Sequence, residues 1–251
     1  MKIAVVAITR HGISLAGKVV AALPGAQLFA PEKFRSEAEH AAPGSANCYV
    51  GKVGDQIPVL FANFDGIVAI VSLGAMVRLM APHLKDKEQD PGVVVMDEAG
   101  RYAIPVLAGH LGGANELAGK LARALGALPV LTTASDARET LAVDLLGREL
   151  GWTFTATKQV IVHASAAVVN EEQVALVQET GSRDWWARHA NGRSNPLPAN
   201  IQLLEKIEEL DPARYGAVLW ITQRQPDALP AALHEAMRDR LVVYSPADDK
   251  T

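Results

Sequence analysis

The segment MKIAVVAITRHGISLAGKVVAALPG, residues 1–25, joins a strand pattern directly to a helix pattern. Residues 2–8 are apolar after the first lysine and include several β-branched side chains, which is typical of a strand buried on both faces. Residues 12–23 carry apolar side chains at helical spacing, and Pro24-Gly25 ends this pattern. A strand followed at once by a helix is the repeating unit of parallel α/β sheets, so the segment predicts that fold class.

The same alternation continues to about residue 150. Strand patterns occupy residues 26–29, 66–71, 93–97, 102–107 and 128–132, and helix patterns occupy residues 73–84, 112–125 and 141–150. Ala99-Gly100 predicts a turn that pairs the strand before it with the strand after it. Residues 34–50 are polar and contain Pro and Gly, so we expect a loop there. The sequence therefore predicts an α/β protein with a largely parallel open sheet flanked by helices.

A second, smaller α/β domain is predicted to begin after residue 150, where Gly151 ends the preceding helix pattern. Its strand patterns lie at residues 159–162, 174–179, 217–222 and 241–244, and its helix patterns lie at residues 164–169 and 228–239. We therefore expect domains at residues 1–150 and 151–246, followed by a disordered tail at residues 247–251.

The composition excludes several classes of protein. Of the 251 residues, 49% are hydrophobic, which is enough for a buried core. The 24 basic and 28 acidic residues give a net charge of −4, which argues against a nucleic-acid surface. A single cysteine, Cys48, excludes an internal disulfide and a multi-cysteine metal site, and no other metal-binding motif is present. The first apolar run reaches Arg10 too soon for a signal peptide, and no run approaches the ~20 apolar residues of a membrane span. We expect a soluble cytoplasmic protein.

The glycine-rich segment GHLGGANE, residues 109–116, follows a predicted strand and opens a predicted helix. Adjacent glycines expose backbone N–H groups, and these groups together with the positive end of a helix attract phosphate or carboxylate. His110 lies in this turn and can act as a general base near neutral pH. The alternative is that the glycines only permit tight packing while His110 bonds to a backbone carbonyl. The segment is neither GxGxxG nor a P-loop, so a nucleotide site is weakly indicated.

Polar residues also follow several predicted strands. Asp97 and Glu98 end one strand, where either carboxylate can serve as a base or hold a turn. The charged run at residues 85–90 can supply lysines to substrate carboxylates, or it is a solvated turn. In open α/β sheets, ligands collect at the carboxyl ends of the strands. We therefore expect one substrate-binding rim, composed of Arg10, Ser72, Gly74, Arg78, Lys85, Lys87, Gly112, Gly113, Ala114, Asn115, Thr132, Thr133 and Asp136.

Six stretches together resemble the CbiG family of cobalamin biosynthesis proteins. They are GIVAIVSLG (66–74), LKDK (84–87), DP (90–91), VVVMDEAGR (93–101), GHLGGANELA (109–118) and PVLTTASD (129–136). The resemblance covers the N-terminal domain of the family and continues into its central domain, to about residue 245. Members of the family usually carry a further C-terminal domain that resembles CobE. Since the sequence stops after the central domain, we expect a separate CobE-like domain or a neighbouring pathway methyltransferase as a partner; a homodimer also stays open.

The resemblance implies a reaction. CbiG-type proteins are cobalt-precorrin 5A hydrolases of the anaerobic vitamin B12 pathway, which open the δ-lactone on ring A. The C20 fragment then leaves as acetaldehyde and gives cobalt-precorrin 5B. No cofactor of the protein is implied, because cobalt is carried by the tetrapyrrole substrate. Two alternatives stay open: a non-catalytic tetrapyrrole-binding subunit, and a nucleotide-binding α/β module.

Residue roles compatible with this chemistry can be assigned from residue type and position. Arg10, Arg78, Lys85 and Lys87 would orient the carboxylates of the substrate. His110 would act as the general base, and the amides of residues 112–114 would stabilise the oxyanion. Asp97 or Glu98 would remove the proton of the hydroxyl that lactone opening releases.

Overall fold

The computed structural model describes residues 1–86, 89–186, 196–225 and 229–246. The chain divides into two compact units, Met1–Thr132 and Thr133–Thr251. The boundary thus precedes the expected one at residue 150, because Leu141, Val143 and Leu146 pack into the core of the second unit. The tail predicted at residues 247–251 and the predicted site residue Lys87 lie outside the described residues.

The first unit contains a seven-stranded sheet with the order β3-β2-β1-β4-β5-β6-β7. The strands are β1 (Ile3–Ala7), β2 (Gln27–Pro31), β3 (Ala46–Tyr49), β4 (Gly66–Ile70), β5 (Gly92–Met96), β6 (Tyr102–Leu107) and β7 (Leu128–Pro129). β1 to β5 are parallel, whereas β6 is antiparallel to β5 and parallel to β7. The predicted α/β class and largely parallel sheet are therefore confirmed. β7 is shorter than the predicted strand at residues 128–132.

Helices cover both faces of this sheet. They are α1 (Arg10–Ala22), α2 (Arg35–Ala41), α3 (Ile57–Asn63), α4 (Leu73–Met80) and α5 (Ala114–Leu125). Side chains of α1, α2 and α5 share one core with Val68 and Ile70 of β4. Side chains of α3 and α4 share the other core with Ile67 and Ala69. Successive residues of β4 thus alternate between two buried faces, which explains its continuous apolar sequence.

The loop predicted at residues 34–50 is wrong, because this segment contains α2 and β3. β3 is an edge strand that pairs with β2 alone. α2 buries the small residue Ala38, and Ala42 follows it into the same core, whereas Arg35 and Glu39 of the helix are exposed. Elements at the edge of a sheet bury few side chains and therefore contain few large apolar residues. For this reason the segment had the composition of a loop.

The second unit contains a five-stranded sheet with the order β10-β9-β11-β12-β8. The strands are β8 (Thr153–Thr155), β9 (Val174–Gln178), β10 (Ile201–Leu204), β11 (Ala217–Ile221) and β12 (Leu241–Ser245), and the helices are α6 (Ala134–Ala137), α7 (Lys158–Val169) and α8 (Ala231–Met237). β8 is antiparallel to β12, and the other pairs are parallel. Within the described ranges, no helix is long and apolar enough to cross a membrane.

Two predictions for the second unit need correction. The strand predicted at residues 159–162 lies in α7, where the Thr157 side chain caps the helix by accepting a hydrogen bond from the Val160 amide. The helix predicted at residues 141–150 is replaced by two 3-10 turns, Val143–Leu145 and Arg148–Leu150. Gly147 separates these turns with a φ of +71°, and a Cβ there would lie 2.0 Å from the Trp152 ring. This left-handed residue ends any continuous helix.

Candidate functional site

The order of strands in the first unit reverses direction beside β1. The chain passes from β1 to β2 and β3 on one side and then returns to β4 on the other side of β1. Ligands of open α/β sheets bind where the strand order reverses in this way, outside the carboxyl ends of the strands. We call this side, formed by the carboxyl ends of β1 to β5, the carboxyl edge, and the opposite side the amino edge.

Glu98 and Thr9 meet at the carboxyl edge. Thr9 follows β1 and caps α1, since its Oγ1 accepts a hydrogen bond of 3.0 Å from the Gly12 amide. The same hydroxyl donates to Oε1 of Glu98, which follows β5. Because β4 lies between β1 and β5, this bond passes over the end of β4. Glu98 is otherwise exposed, and no other hydrogen bond to it is found among the described residues.

Asp97 has a structural role at the same edge. Its Oδ1 accepts hydrogen bonds from the amides of Arg101 (2.8 Å) and Tyr102 (2.9 Å), and its Oδ2 accepts one from Arg101 Nε at 2.9 Å. Partial burial alone would raise the pKa of Asp97, but the hydrogen bonds from Arg101 and from the two amides outweigh it and lower the pKa. Asp97 thus holds the turn between β5 and β6, and it is a poor proton acceptor near neutral pH.

Cationic and hydroxyl groups accompany Glu98 at the carboxyl edge. Arg10 is exposed and forms an ion pair of 3.0 Å with Glu37. Arg78 Nη1 donates to the Gly74 carbonyl at 3.1 Å, which returns its guanidinium to the first turn of α4. Ser72 is the exposed N-cap residue of α4 and makes no side-chain capping bond. The edge therefore carries two guanidinium groups, each with a partner in the protein, and one exposed hydroxyl group.

The glycine-rich segment lies at the amino edge, so the expected single rim is wrong. β6 runs against β5, and the residues after β6 return to the start of β5. There, a Cβ on Gly92 would lie 2.3 Å from the Gly112 carbonyl oxygen. At about 3.3 Å per residue, Asp97 lies about 16 Å along the strand from Gly92. The structure therefore does not bring His110 and the Asp97-Glu98 pair together.

Of the other predicted residues, two lie at the amino edge and two belong to the second unit. Lys85 precedes β5 at the amino edge, where its amide donates to the buried carboxylate of Asp90 at 3.0 and 3.2 Å. Thr132 follows β7, which is parallel to β6, and so it lies at the amino edge as well. Thr133 and Asp136 belong to the second unit, where the Thr133 hydroxyl donates to the Asp136 carboxylate at the start of α6.

The glycine-rich segment is tightly bonded to itself. The amide of Gly113 donates to the His110 carbonyl at 2.9 Å, and the amide of Ala114 donates to the Ala108 carbonyl at 3.3 Å. Two of the three amides expected to stabilise an oxyanion are thus already hydrogen-bonded. The Asn115 amide donates to the Gly109 carbonyl at 2.9 Å, and a Cβ on Gly109 would lie 2.7 Å from Asn115 Oδ1. These contacts favour the packing role of the glycines and weaken the nucleotide-binding alternative.

Sequence reasoning missed a cavity of about 480 Å³ at the carboxyl ends of β1, β2 and β3. Tyr49, the last residue of β3, lines it. The sequence did not indicate this cavity, because residues 34–50 had the composition of a loop and β3 was not predicted. In the part of the chain that the structure describes, no group of three or more His, Cys, Asp and Glu side chains is placed to hold a metal ion.

Comparison with known proteins gives a consistent family. Residues 55–136 match the family model "Cobalamin synthesis G N-terminal", and residues 141–246 match "Cobalamin biosynthesis central region". The cobalt-precorrin-5A hydrolase of Priestia megaterium is 40% identical over 97% of this chain and 62% of its own length. The enzyme of the same name from Salmonella typhimurium is 34% identical over 73% of this chain and 48% of its own length. The chain thus spans between about half and three fifths of these relatives.

A solved structure is also similar. The crystal structure described as a "putative cobalamin biosynthesis protein G homolog" from Sulfolobus solfataricus is 20% identical and has a TM-score of 0.49. The similarity covers 98% of this chain and 60% of that one.

Proposed function

The chain belongs to the cobalamin biosynthesis G family, whose N-terminal and central regions it carries, and from this premise we propose that it is a cobalt-precorrin-5A hydrolase. The observation that carries the proposal is the identity of 40% with a relative of that name, over 97% of this chain. Because the chain spans 62% of that relative, the activity is proposed for these residues and is tested below on the chain itself.

The proposed reaction has two stages. Water adds to the lactone carbonyl on ring A, and the ester C–O bond breaks, which leaves a carboxylate on the ring and a hydroxyl on the two-carbon fragment. Loss of the hydroxyl proton then allows the C–C bond to the macrocycle to break, and the fragment leaves as acetaldehyde. The electron pair of that bond enters the conjugated cobalt-bound macrocycle of the substrate. The proposed reaction therefore needs no cofactor held by the protein.

We place substrate binding at the carboxyl edge of the first unit. Arg10 and Arg78 present guanidinium groups there, and the substrate carries several carboxylate side arms. A hydrogen bond between charged partners contributes about 1.5–3 kcal/mol, so two such contacts would orient a macrocycle. The Ser72 hydroxyl is available on the same edge to donate to the oxyanion of the first stage.

Glu98 is the proposed base of the second stage. Of the two predicted carboxylates, Asp97 has a lowered pKa and its oxygens accept three hydrogen bonds within the turn. Glu98 is exposed and held in place by one hydrogen bond from Thr9, which leaves an oxygen to accept a proton. His110 lies at the opposite edge, so it is not part of this centre.

The test is an anaerobic incubation of the purified chain with cobalt-precorrin 5A, in which acetaldehyde is measured. Acetaldehyde above the enzyme-free rate, lost in the Glu98→Gln variant, would support the proposal. If the chain binds the tetrapyrrole without releasing acetaldehyde, it is a binding subunit, and adding a CobE-like domain or a pathway methyltransferase would identify the partner. A thermal shift with ATP or NAD and none with tetrapyrrole would instead favour a nucleotide-binding module.

A further inference from the structure

The cavity at the carboxyl ends of β1, β2 and β3 combines apolar walls with charged side chains. Its volume is about 480 Å³, which is within the range of small-molecule sites. Ile8, Pro31, Val50 and Val53 form its apolar lining, and they lie at or shortly after the ends of the three strands. Sites with such a lining bind the apolar body of a ligand, while a few polar groups fix its orientation.

Val50 lies where this cavity opens to solvent, since it lines the cavity and is 83% exposed. Ile8 and Val53, by contrast, are half-buried and pack against the core that α3 and α4 cover. A single exposed valine is common on protein surfaces, but Val50 extends a partly buried apolar surface that borders a cavity. A ligand in the cavity would therefore remove Val50 from water, and this burial favours binding.

The cavity adjoins the proposed base. Ile8 lines the cavity, and the hydroxyl of the next residue, Thr9, donates a hydrogen bond to Glu98. The Cα atoms of neighbouring residues are about 3.8 Å apart, so the wall of the cavity and the residue that holds the carboxylate are close together. One ligand of the size of a macrocycle can therefore reach both the cavity and Glu98.

The charged side chains of the cavity are compatible with a ligand that has carboxylate arms. Both carboxylate oxygens of Glu32 accept hydrogen bonds from Arg35, whose Nε and Nη2 donate at 2.8 and 2.7 Å. Lys33 is exposed, its Nζ lies 4.9 Å from the centroid of the Phe34 ring, and no ion pair with another described residue engages it. The charge of Glu32 is thus compensated within the protein, whereas the ammonium group of Lys33 can meet an anionic arm.

We propose that this cavity binds the apolar edge of a planar ring that carries carboxylate arms, with Ile8, Val50 and Val53 in contact with the ring. Identification of the ring as part of the tetrapyrrole substrate rests on the proposed function. One side of the macrocycle would then occupy the cavity while another part reaches Glu98. Val50 would act as a specificity-determining residue, because a ligand without an apolar ring would leave it exposed to water.

The first experiment tests the cavity with a ring that is not the substrate. Uroporphyrin III is a planar tetrapyrrole with carboxylate arms, and its ring current shifts the NMR signals of methyl groups that it covers. We expect it to shift the methyl signals of Val50, assigned by their loss in Val50→Ala, in a saturable way. Sodium citrate, which offers carboxylates without a ring, should leave these signals in place. The methyl signals of Val162, 55% exposed on α7 of the second unit, are the control and should not move with either compound.

Three results would overturn the ring site. They are the absence of uroporphyrin binding, bound uroporphyrin without a shift at Val50, and equal shifts at Val50 and Val162.

The second experiment measures the Kd of cobalt-precorrin 5A. Val50→Asp should raise the Kd about tenfold or more, because a charge replaces an apolar contact, whereas Val50→Leu, which keeps the contact, should not. Val162→Asp is the matched control, since it makes the same change at another exposed valine. An unchanged Kd in Val50→Asp overturns the assignment of the ring to the substrate. If uroporphyrin shifts Val50 but the wild-type chain releases no acetaldehyde from cobalt-precorrin 5A, the proposed function fails and the ring site stands.

Discussion

The hydroxyl of Thr9 donates a hydrogen bond to the carboxylate of Glu98, although the two residues are 89 positions apart in the sequence. The same hydroxyl oxygen accepts a hydrogen bond from the Gly12 amide and so caps α1. One side chain therefore fixes both the start of the first helix and the position of the proposed base. Arg10 follows Thr9 directly, and its guanidinium forms an ion pair with Glu37 of α2.

Replacing Glu98 by Gln should slow the release of acetaldehyde about 10²- to 10⁴-fold, which is the usual contribution of a general base. The amide oxygen of Gln can still accept the hydrogen bond from Thr9, so we expect an unchanged melting temperature and a KM within about threefold of wild type. Steady-state kinetics under anaerobic conditions provide the measurement. Wild-type turnover in this variant would show that Glu98 is not the base.

His110→Ala should lose less than about tenfold in the same assay, because His110 lies at the amino edge, away from the proposed centre. The two variants form a matched pair, since each removes one titratable group from one edge of the sheet. A loss of more than 100-fold in His110→Ala, with normal turnover in Glu98→Gln, would move the catalytic centre to the glycine-rich segment.

Asp97→Ala should lower the free energy of unfolding by about 1–3 kcal/mol at pH 7, because it removes the hydrogen bonds that hold the turn after β5. The pKa of Asp97 is lowered from 3.8 in the folded protein, so its contribution is complete well above pH 3.8 and is lost as the pH falls further, through the folded pKa. Urea unfolding at pH 7 and at pH 3 would measure this. An equal difference between variant and wild type at both pH values would contradict the ionic origin.

Gly92→Ala should destabilise the first unit by about 1–3 kcal/mol or more, since its Cβ would lie 2.3 Å from the Gly112 carbonyl oxygen. Gly119→Ala is the control, because this glycine lies within α5 and its Cβ would be 3.5 Å from Arg123 Nη1. Alanine within a helix gains about 0.5–1 kcal/mol over glycine, so the control should be more stable than wild type. Thermal unfolding of both variants provides the comparison, and equal stability would disprove the close approach.

Tyr49→Phe should raise the free energy of unfolding of the unliganded chain by about 1 kcal/mol, because it removes a buried hydroxyl without a partner. Tyr215→Phe should lower it by about 0.5–1.5 kcal/mol, because the Tyr215 hydroxyl donates to Gln202 at 2.7 Å. The two Tyr→Phe variants should therefore change the free energy of unfolding in opposite directions, and urea unfolding of both would measure this. A destabilised Tyr49→Phe variant would mean that the hydroxyl has a partner in solution.

The sequence predicts those elements whose neighbours bury them on both faces, such as β1, β4, β5, β9 and β11. It does not reveal α2 and β3, which stand at an edge and bury small residues such as Ala38. The separation of the predicted site residues between the two edges of the sheet could, however, have been predicted from the sequence. Only a short turn at Ala99-Gly100 joins β5 to β6, and a parallel connection needs a dozen or more residues. The connection between β5 and β6 is too short for a parallel pair, so β6 must be antiparallel to β5. His110, which follows β6, must then lie at the amino edge.

The remaining site features depend on contacts that no local pattern contains. Thr9 and Glu98 come together through the pairing of β1, β4 and β5, and Gly92 meets Gly112 only because β6 runs against β5. The cavity at Tyr49 likewise requires the ends of three strands at one edge. Long-range pairing therefore determines which of the predicted residues can act together.

The reversed direction of β6 has a consequence for how the chain tolerates change. It brings the close-packed glycines to the amino edge and leaves the proposed chemistry at the carboxyl edge, roughly one strand length away. Substitutions at the amino edge that change the stability of the fold would not alter the groups proposed to meet the substrate. In a directed-evolution experiment, the stability of the fold and the substrate specificity would therefore depend on separate sets of positions. Because these positions are far apart, the effects of substitutions in the two sets should be nearly additive.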